Sequence, residues 1–356
     1  MSRAKLVIAV AIAIVMILCI SIFCFFPIPV KDPFSNHTGD GFSIIQITDT
    51  QFLSESYPQL YNNLTRWIVA NSAATNLLMV IHTGDVVDIA NSTQQWTNAN
   101  NAMMFLYNNS VPYCWDAGNH DLINDLTGKA PNSYQYLGKN YPAFNPAIMS
   151  AKPYWVNSSY DGTSTAVKFS YKNYKFMVIN VQYDGNSSVL AWMENLITAN
   201  PTVNIIVATH NYLNGCANYG FWNNPIDIAW AKSFEAVLNK YPNVFMTLNG
   251  HDIGESPSAQ KSVQIGKTGI SREEIFFNMQ GQYSKQGAAI ARIYTFNVGN
   301  PSKPTITAYE YATAGLPVYV HGFVKILHLQ GDVELYNAAP QYLAEKFSFS
   351  PHLIAS

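Results

Sequence analysis

The chain has 356 residues, of which 48% are hydrophobic, 13% aromatic and only 12% charged, with a formal net charge of −2. That length suits one large domain or two small ones around a sizeable core. Charge this sparse and balanced lacks the clustered Lys and Arg of a nucleic-acid footprint, so no nucleic-acid duplex is expected as a partner.

Residues 6–26 are apolar except for Ser21, and Arg3 and Lys5 precede them. Roughly 20 apolar residues suffice to span a bilayer. A cleaved signal peptide has a shorter apolar region, about 7–15 residues, and ends at a small-residue cleavage site; none is visible here. Residues 1–30 therefore read as a retained membrane anchor. The positive charges ahead of it place the amino terminus in the cytoplasm and the rest of the chain outside, as a single-pass protein of the cell membrane. Residues 31–41, with Pro33, Asn36 and Gly39, read as a linker. Cys19 and Cys24 lie in the anchor. Cys114 and Cys216 either pair in an oxidising compartment or remain two buried thiols.

Residues 42–48 alternate as a strand does and deliver Asp49-Thr50-Gln51 to the strand's end. Residues 57–73 have helical spacing, with Leu60, Leu64, Trp67 and Ile68 on one face. The short apolar run 77–80 reads as a buried strand leading into Ile81-His82-Thr83-Gly84-Asp85-Val86-Val87-Asp88. A helix over 94–107 and a strand over 111–117 follow, the latter ending in Gly118-Asn119-His120-Asp121. This β-α-β-α-β order predicts an α/β fold with parallel strands and helices on the faces.

Residues 122–165 have no clear period and are rich in Tyr, Asn and Pro, which suits either a functional lid or a self-packed surface loop. Residues 166–171 and 175–181 form a predicted hairpin turning at Asn173. A helix over 189–199, a strand over 203–208 ending at His210, a helix over 226–240 and a strand over 244–248 ending at Gly250-His251 come next. Residues 274–279, 288–296 and 305–311 read as strands with no helices between them, hence an antiparallel layer. Residues 318–329 are a candidate further strand; 314–356 otherwise stay an unassigned extension of a domain over 42–313.

Five strand ends thus carry a ligand-type residue: Asp49, Asp85, Asn119, His210 and His251. Ligands in open α/β sheets bind at such ends. Carboxylate, amide oxygen and imidazole without thiolate suit Mn, Fe or Zn rather than a Cys-bound structural zinc. His82 reads as a buried histidine or a group behind the ligands. His37, His321, His328 and His352 fall outside the pattern.

His82-Thr83-Gly84-Asp85-Val86-Val87-Asp88 followed by Ala117-Gly118-Asn119-His120-Asp121, with His210 and Gly250-His251 later, resembles the calcineurin-like metallophosphoesterase family over about residues 42–312. The resemblance implies a four-layer α/β/β/α sandwich and a site for one or two divalent metal ions at the strand ends. By position, Asp85 looks like the bridging carboxylate. Asn119, His210 and His251 complete one metal's shell, and Asp49, with Gln51, faces the other. His120 resembles the family's catalytic histidine, and Asp88 the acid that orients it.

Two positions depart from the family pattern. Gln51 and Ile253 stand where the family places imidazoles, both on the Asp49 side. Gln51 can offer an amide oxygen, Ile253 nothing, and Glu255 or Asp252 could substitute, although Asp252 would point to the opposite face of an extended strand. The expected function is a membrane-anchored, extracytoplasmic phosphoesterase acting by metal-activated water on a phosphorylated small molecule or surface substrate. The alternative is a non-catalytic surface binding protein on the same fold.

Overall fold

β1 (Gly41–Ile47) and β2 (Leu77–Thr83) are buried along almost their whole length, which is why they read as near-continuous apolar runs. In the computed structural model the described residues are 40–124, 134–220, 225–253, 257–266, 270–281, 285, 287–300, 302–312, 341–349 and 353–355. β1 leads through α1 (Gln51–Ser56) and α2 (Pro58–Asn71) to β2, and α3 (Thr93–Asn108) leads to β3 (Tyr113–Asp116). The predicted helix over 57–73 begins with Pro58 at its first turn, where a missing N–H costs nothing. α3 starts at Ser92, whose hydroxyl accepts from the Gln95 N–H.

The described residues of the Tyr-rich insert are folded. β4 (Leu122–Asn124) pairs with β5 (Tyr134–Tyr136), and α4 (Pro146–Met149) precedes β6 (Trp155–Ser158). Tyr136 and Phe144 are buried edge-on against Trp96 of α3, and Trp155 packs on Trp115. Of the insert's described aromatics, Tyr136 and Phe144 are thus core, Tyr141, Tyr154 and Trp155 half-buried and Tyr160 exposed. β7 (Thr165–Tyr171) and β8 (Tyr174–Val181) form the expected hairpin. α5 (Ser187–Thr198), β9 (Asn204–Thr209), α6 (Pro225–Leu238) and β10 (Val244–Asn249) follow, then β11 (Ser258–Ile265), β12 (Ile270–Phe277), β13 (Ile290–Asn297), β14 (Thr305–Ala312) and β15 (Gln341–Phe349).

Among the described residues the strands form a six-stranded sheet, β15-β14-β13-β1-β2-β3, and a seven-stranded sheet, β11-β12-β10-β9-β8-β7-β6. The two pack face to face through Phe42, Ile44, Met79 and Ile81 on one side and Phe176, Val178, Ile206 and Leu248 on the other. Phe42 lies stacked on Phe296, with centroids 4.5 Å apart, and edge-on to Phe176. α5 and α6 cover the outer face of the second sheet through Val189, Met193, Trp230 and Phe234. α2 lies on the first sheet, where Trp67 stacks on Tyr311. The layers are thus helix, sheet, sheet, helix.

The last strands do not form the single antiparallel layer expected from sequence. β12 pairs in parallel with β10 and antiparallel with β11 in the second sheet, whereas β13 pairs with β1 in the first. Polar alternation on β11 (Ser258–Ile265) hid it as a strand, because it is an edge and only half-buried. The chain also returns after residue 340: β15 pairs with β14, and the Ile354 N–H donates to Asn204. Cys114 and Cys216 are not joined; Cys114 is buried in β3 and Cys216 is exposed after β9. No helix among the described residues is long and apolar enough to cross a membrane. The apolar run 6–26, the candidate strand 318–329 and Glu255 lie outside the described residues.

Candidate metal centre

Parallel pairing of β1, β2 and β3, and of β8, β9 and β10, sends all their carboxyl ends to one edge of each sheet. The loops that leave these ends are tied to each other. The Asp49 N–H donates to the Gly84 carbonyl (3.0 Å) and the Gly250 N–H to the His210 carbonyl (3.1 Å). A Cβ on Gly118 would lie 2.1 Å from Asp85 Oδ1, so only glycine lets the third loop close on the second.

Asp121 locks the same two loops. Its Oδ1 accepts from the Val86 and Val87 N–H groups (2.9 and 3.0 Å) and its Oδ2 from the Gly118 N–H (2.8 Å). From α3, Gln95 Oε1 accepts from the N–H groups of Asp88 and Ile89, which fixes the loop after β2 (2.9 and 2.8 Å). The His210 loop is held to the His251 turn by Asn249, which accepts from the Leu213 N–H and donates to the Leu213 carbonyl. Asp252 is buried and accepts from the Gly215 N–H (2.7 Å), the backbone turning at His251 rather than running on as an extended strand.

Four of the sequence candidates converge. His210 Nε2 lies 3.3 Å from Asp85 Oδ2, 3.1 Å from Asn119 Oδ1 and 3.0 Å from His251 Nδ1. Ligand bonds of about 2.0–2.2 Å set neighbouring donor atoms roughly 2.8–3.6 Å apart, so these separations fit the edges of one coordination shell. His210 Nδ1 donates to the Thr83 carbonyl (2.8 Å), which leaves the Nε2 lone pair for the cluster. Burial alone would lower the His210 pKa, but the Asp85 carboxylate raises it to about 10 while no cation is present. His251 is lowered to about 3 by burial and by His210. Asp85, His210 and His251 together form the candidate ion-binding group among the described residues. The Tyr183 ring covers both imidazoles.

Beside this cluster, His120 Nδ1 lies 2.9 Å from the Asp88 carbonyl and 3.3 Å from its Oδ1. Its side chain is 40% exposed. Burial pulls the His120 pKa down, but the Asp85 charge and the Asp88 carbonyl and carboxylate outweigh it, and the net shift is upward.

The Asp49 side differs. Gln51 turns its amide nitrogen to Asp85 Oδ2 (3.1 Å) rather than offering an oxygen there, and its Oε1 is buried without a hydrogen-bond partner. Ile253 is 58% exposed. Asp49 is fully buried and accepts from Gln280 Nε2 (3.0 Å), a residue that sequence reading missed. Its position just past β12 was the available signal, since β12 runs parallel to β10 and ends at the same edge. His82 is buried and bonded to the Thr50 hydroxyl (2.9 Å), behind the cluster. Asp49, Asp85 and His251 have φ of 52°, 52° and 76°, so three of the site's residues sit in the left-handed region.

The calcineurin-like phosphoesterase family model matches residues 42–253. The chain belongs to that family. A Bacillus subtilis (strain 168) protein, Uncharacterized protein YvnB, is 30% identical over 212 residues, which is 60% of this chain and 15% of that protein. Among solved structures, GAP50, titled the anchor in the inner membrane complex of Plasmodium, is similar with a TM-score of 0.45 at 12% identity, covering 79% of this chain and 87% of that one. The Thermus thermophilus protein TT1561 is similar with a TM-score of 0.41 at 9% identity, covering 75% and 98%. The matched span of this phosphoesterase-family chain contains every strand end that contributes to the cluster.

Proposed function

We propose that the chain hydrolyses phosphate mono- or diesters in a metal-dependent reaction. The observation that carries this reading is the convergence of Asp85, Asn119 and His251 on His210 Nε2, with His120 alongside. When bound there, a divalent ion of the Mn, Fe or Zn kind would polarise a phosphoryl oxygen and lower the pKa of a water molecule. Asp85 accepts the His120 N–H on Oδ1 (2.9 Å) and turns Oδ2 to the cluster, so it sets the distance between ligand and histidine. Asp88 holds His120 by Nδ1. The outer nitrogen is then free to give a proton to the departing alkoxide, and the nearby acidic groups favour the charged ring that can do so.

The test is hydrolysis of an aryl phosphate monoester and diester with each metal. His120→Ala is expected to lose about 10²–10⁴-fold in rate, and Asn119→Ala to lose metal-dependent turnover. Full activity in both variants would sink the reading. A wild-type chain that binds metal but hydrolyses no member of a broad ester panel would instead favour a surface binding protein.

The substrate in this reading is a phosphorylated small molecule or a phosphorylated surface component. We place the catalytic domain outside the cytoplasm on a single-pass anchor, on the strength of Arg3, Lys5 and the apolar run 6–26. Protease added to intact cells should then remove the domain; complete protection would place it inside.

A further inference from the structure

The family's second metal position requires lone pairs on Asp49, and in this chain three donors share them. A carboxylate has about four lone-pair sites on two oxygens. Gln280 Nε2 (3.0 Å) and the His251 N–H (3.2 Å) lie on Oδ1. The Thr48 hydroxyl (2.5 Å) and the same His251 N–H (3.1 Å) lie on Oδ2. The backbone N–H thus sits astride the carboxylate, in the position where a cation would make a two-oxygen contact. It can come so close because residue 250 is glycine: a Cβ there would be 2.2 Å from Asp49 Oδ2 and 2.1 Å from Thr48 Oγ1.

The other groups around Asp49 agree. Gln51 presents N–H to Asp85 Oδ2. Turning the Gln280 amide over would set its oxygen about 3 Å from an Asp49 oxygen, so that contact orients it as a donor. Ile253, where the family has a ligating imidazole, has no donor atom to offer. The Asp85–Asn119–His210–His251 group, in contrast, turns acceptor atoms toward one point.

We propose that this chain binds a single metal ion, at Asp85, Asn119, His210 and His251, and that Gln280 with the His251 N–H occupies the place of the second ion by donating hydrogen bonds to Asp49. The inference rests on the metal-dependent reading above but is separable from it. Hydrogen bonds from Gln280 and the His251 N–H then make Asp49 a structural acceptor rather than a ligand.

The experiment is metal content of the full-length chain after loading with excess Mn, Fe or Zn and removal of free ion, with the electron paramagnetic resonance of the Mn-loaded form. One ion per chain and an uncoupled Mn signal are expected. Two ions per chain, with the spin-coupled signal of a close pair, would overturn the proposal while leaving a metal-dependent phosphoesterase intact. No bound ion under any loading condition would overturn both.

Discussion

Asp121 is buried and accepts three backbone hydrogen bonds that tie the Asp85 loop to the Asn119 loop. Removing it leaves buried N–H groups unsatisfied, each worth about 1–3 kcal/mol, partly recovered if water enters. Asp121→Ala should therefore lower stability by about 3 kcal/mol in urea denaturation. A variant with an unchanged midpoint would show that the loops hold without it. His210 makes a different prediction. Its pKa in the metal-free fold is about 10, above the unfolded value near 6.5, so its contribution to metal-free stability is full below about pH 6.5 and is lost as pH rises through about 10. A metal ion needs the neutral ring. Uptake near pH 7 should release about one proton and tighten with rising pH, as read by calorimetry in two buffers of different ionisation enthalpy. An uptake heat independent of buffer would contradict it.

At the scale of elements, the five loops that carry Asp49, Asp85, Asn119, His210 and His251 are legible in the sequence because each is a short apolar strand followed by local text such as Gly84-Asp85 or Gly118-Asn119-His120-Asp121. Gln280 is legible only as the residue after a predicted strand over 274–279, not as part of the site. Its relevance depends on β12 pairing in parallel with β10, a contact between segments joined through the edge strand β11, whose half-buried face carries little hydrophobic signal. The strands after β10 read as one layer because pairing partners leave no local trace; the structure sends β13 to β1 instead. The insert 122–165 reads equally as lid or packed loop, and among its described residues Tyr136 and Phe144 are packed against Trp96 and Trp115. Asn249 carries the prediction that belongs here. It is the end of β10 and holds the loop after β9 through two bonds to Leu213. Asn249→Ala should weaken metal affinity several-fold with a smaller effect on global stability. Unchanged affinity would mean that the His210 loop is held by its other contacts alone.

At the scale of the whole molecule, the described residues join two sheets across an aromatic core, with Asp85 and Asn119 on loops of the first and His210 and His251 on loops of the second. Phe42→Ala would open the centre of that core and is expected to cost about 3–5 kcal/mol. Metal should still raise the melting temperature of this variant by binding only the folded state. A last consequence concerns how such a site persists. At an ordinary position glycine is less favourable than alanine, but His251 holds φ at 76°, where alanine is strained and glycine is not. His251→Gly keeps the N–H on Asp49 and should melt higher than His251→Ala, by about 1 kcal/mol in stability. Selection for a sturdier fold and selection for an ion-binding imidazole therefore pull this residue in opposite directions. A lineage released from the second would reach a silent, more relaxed protein in a few substitutions, with the sheets and their core unchanged.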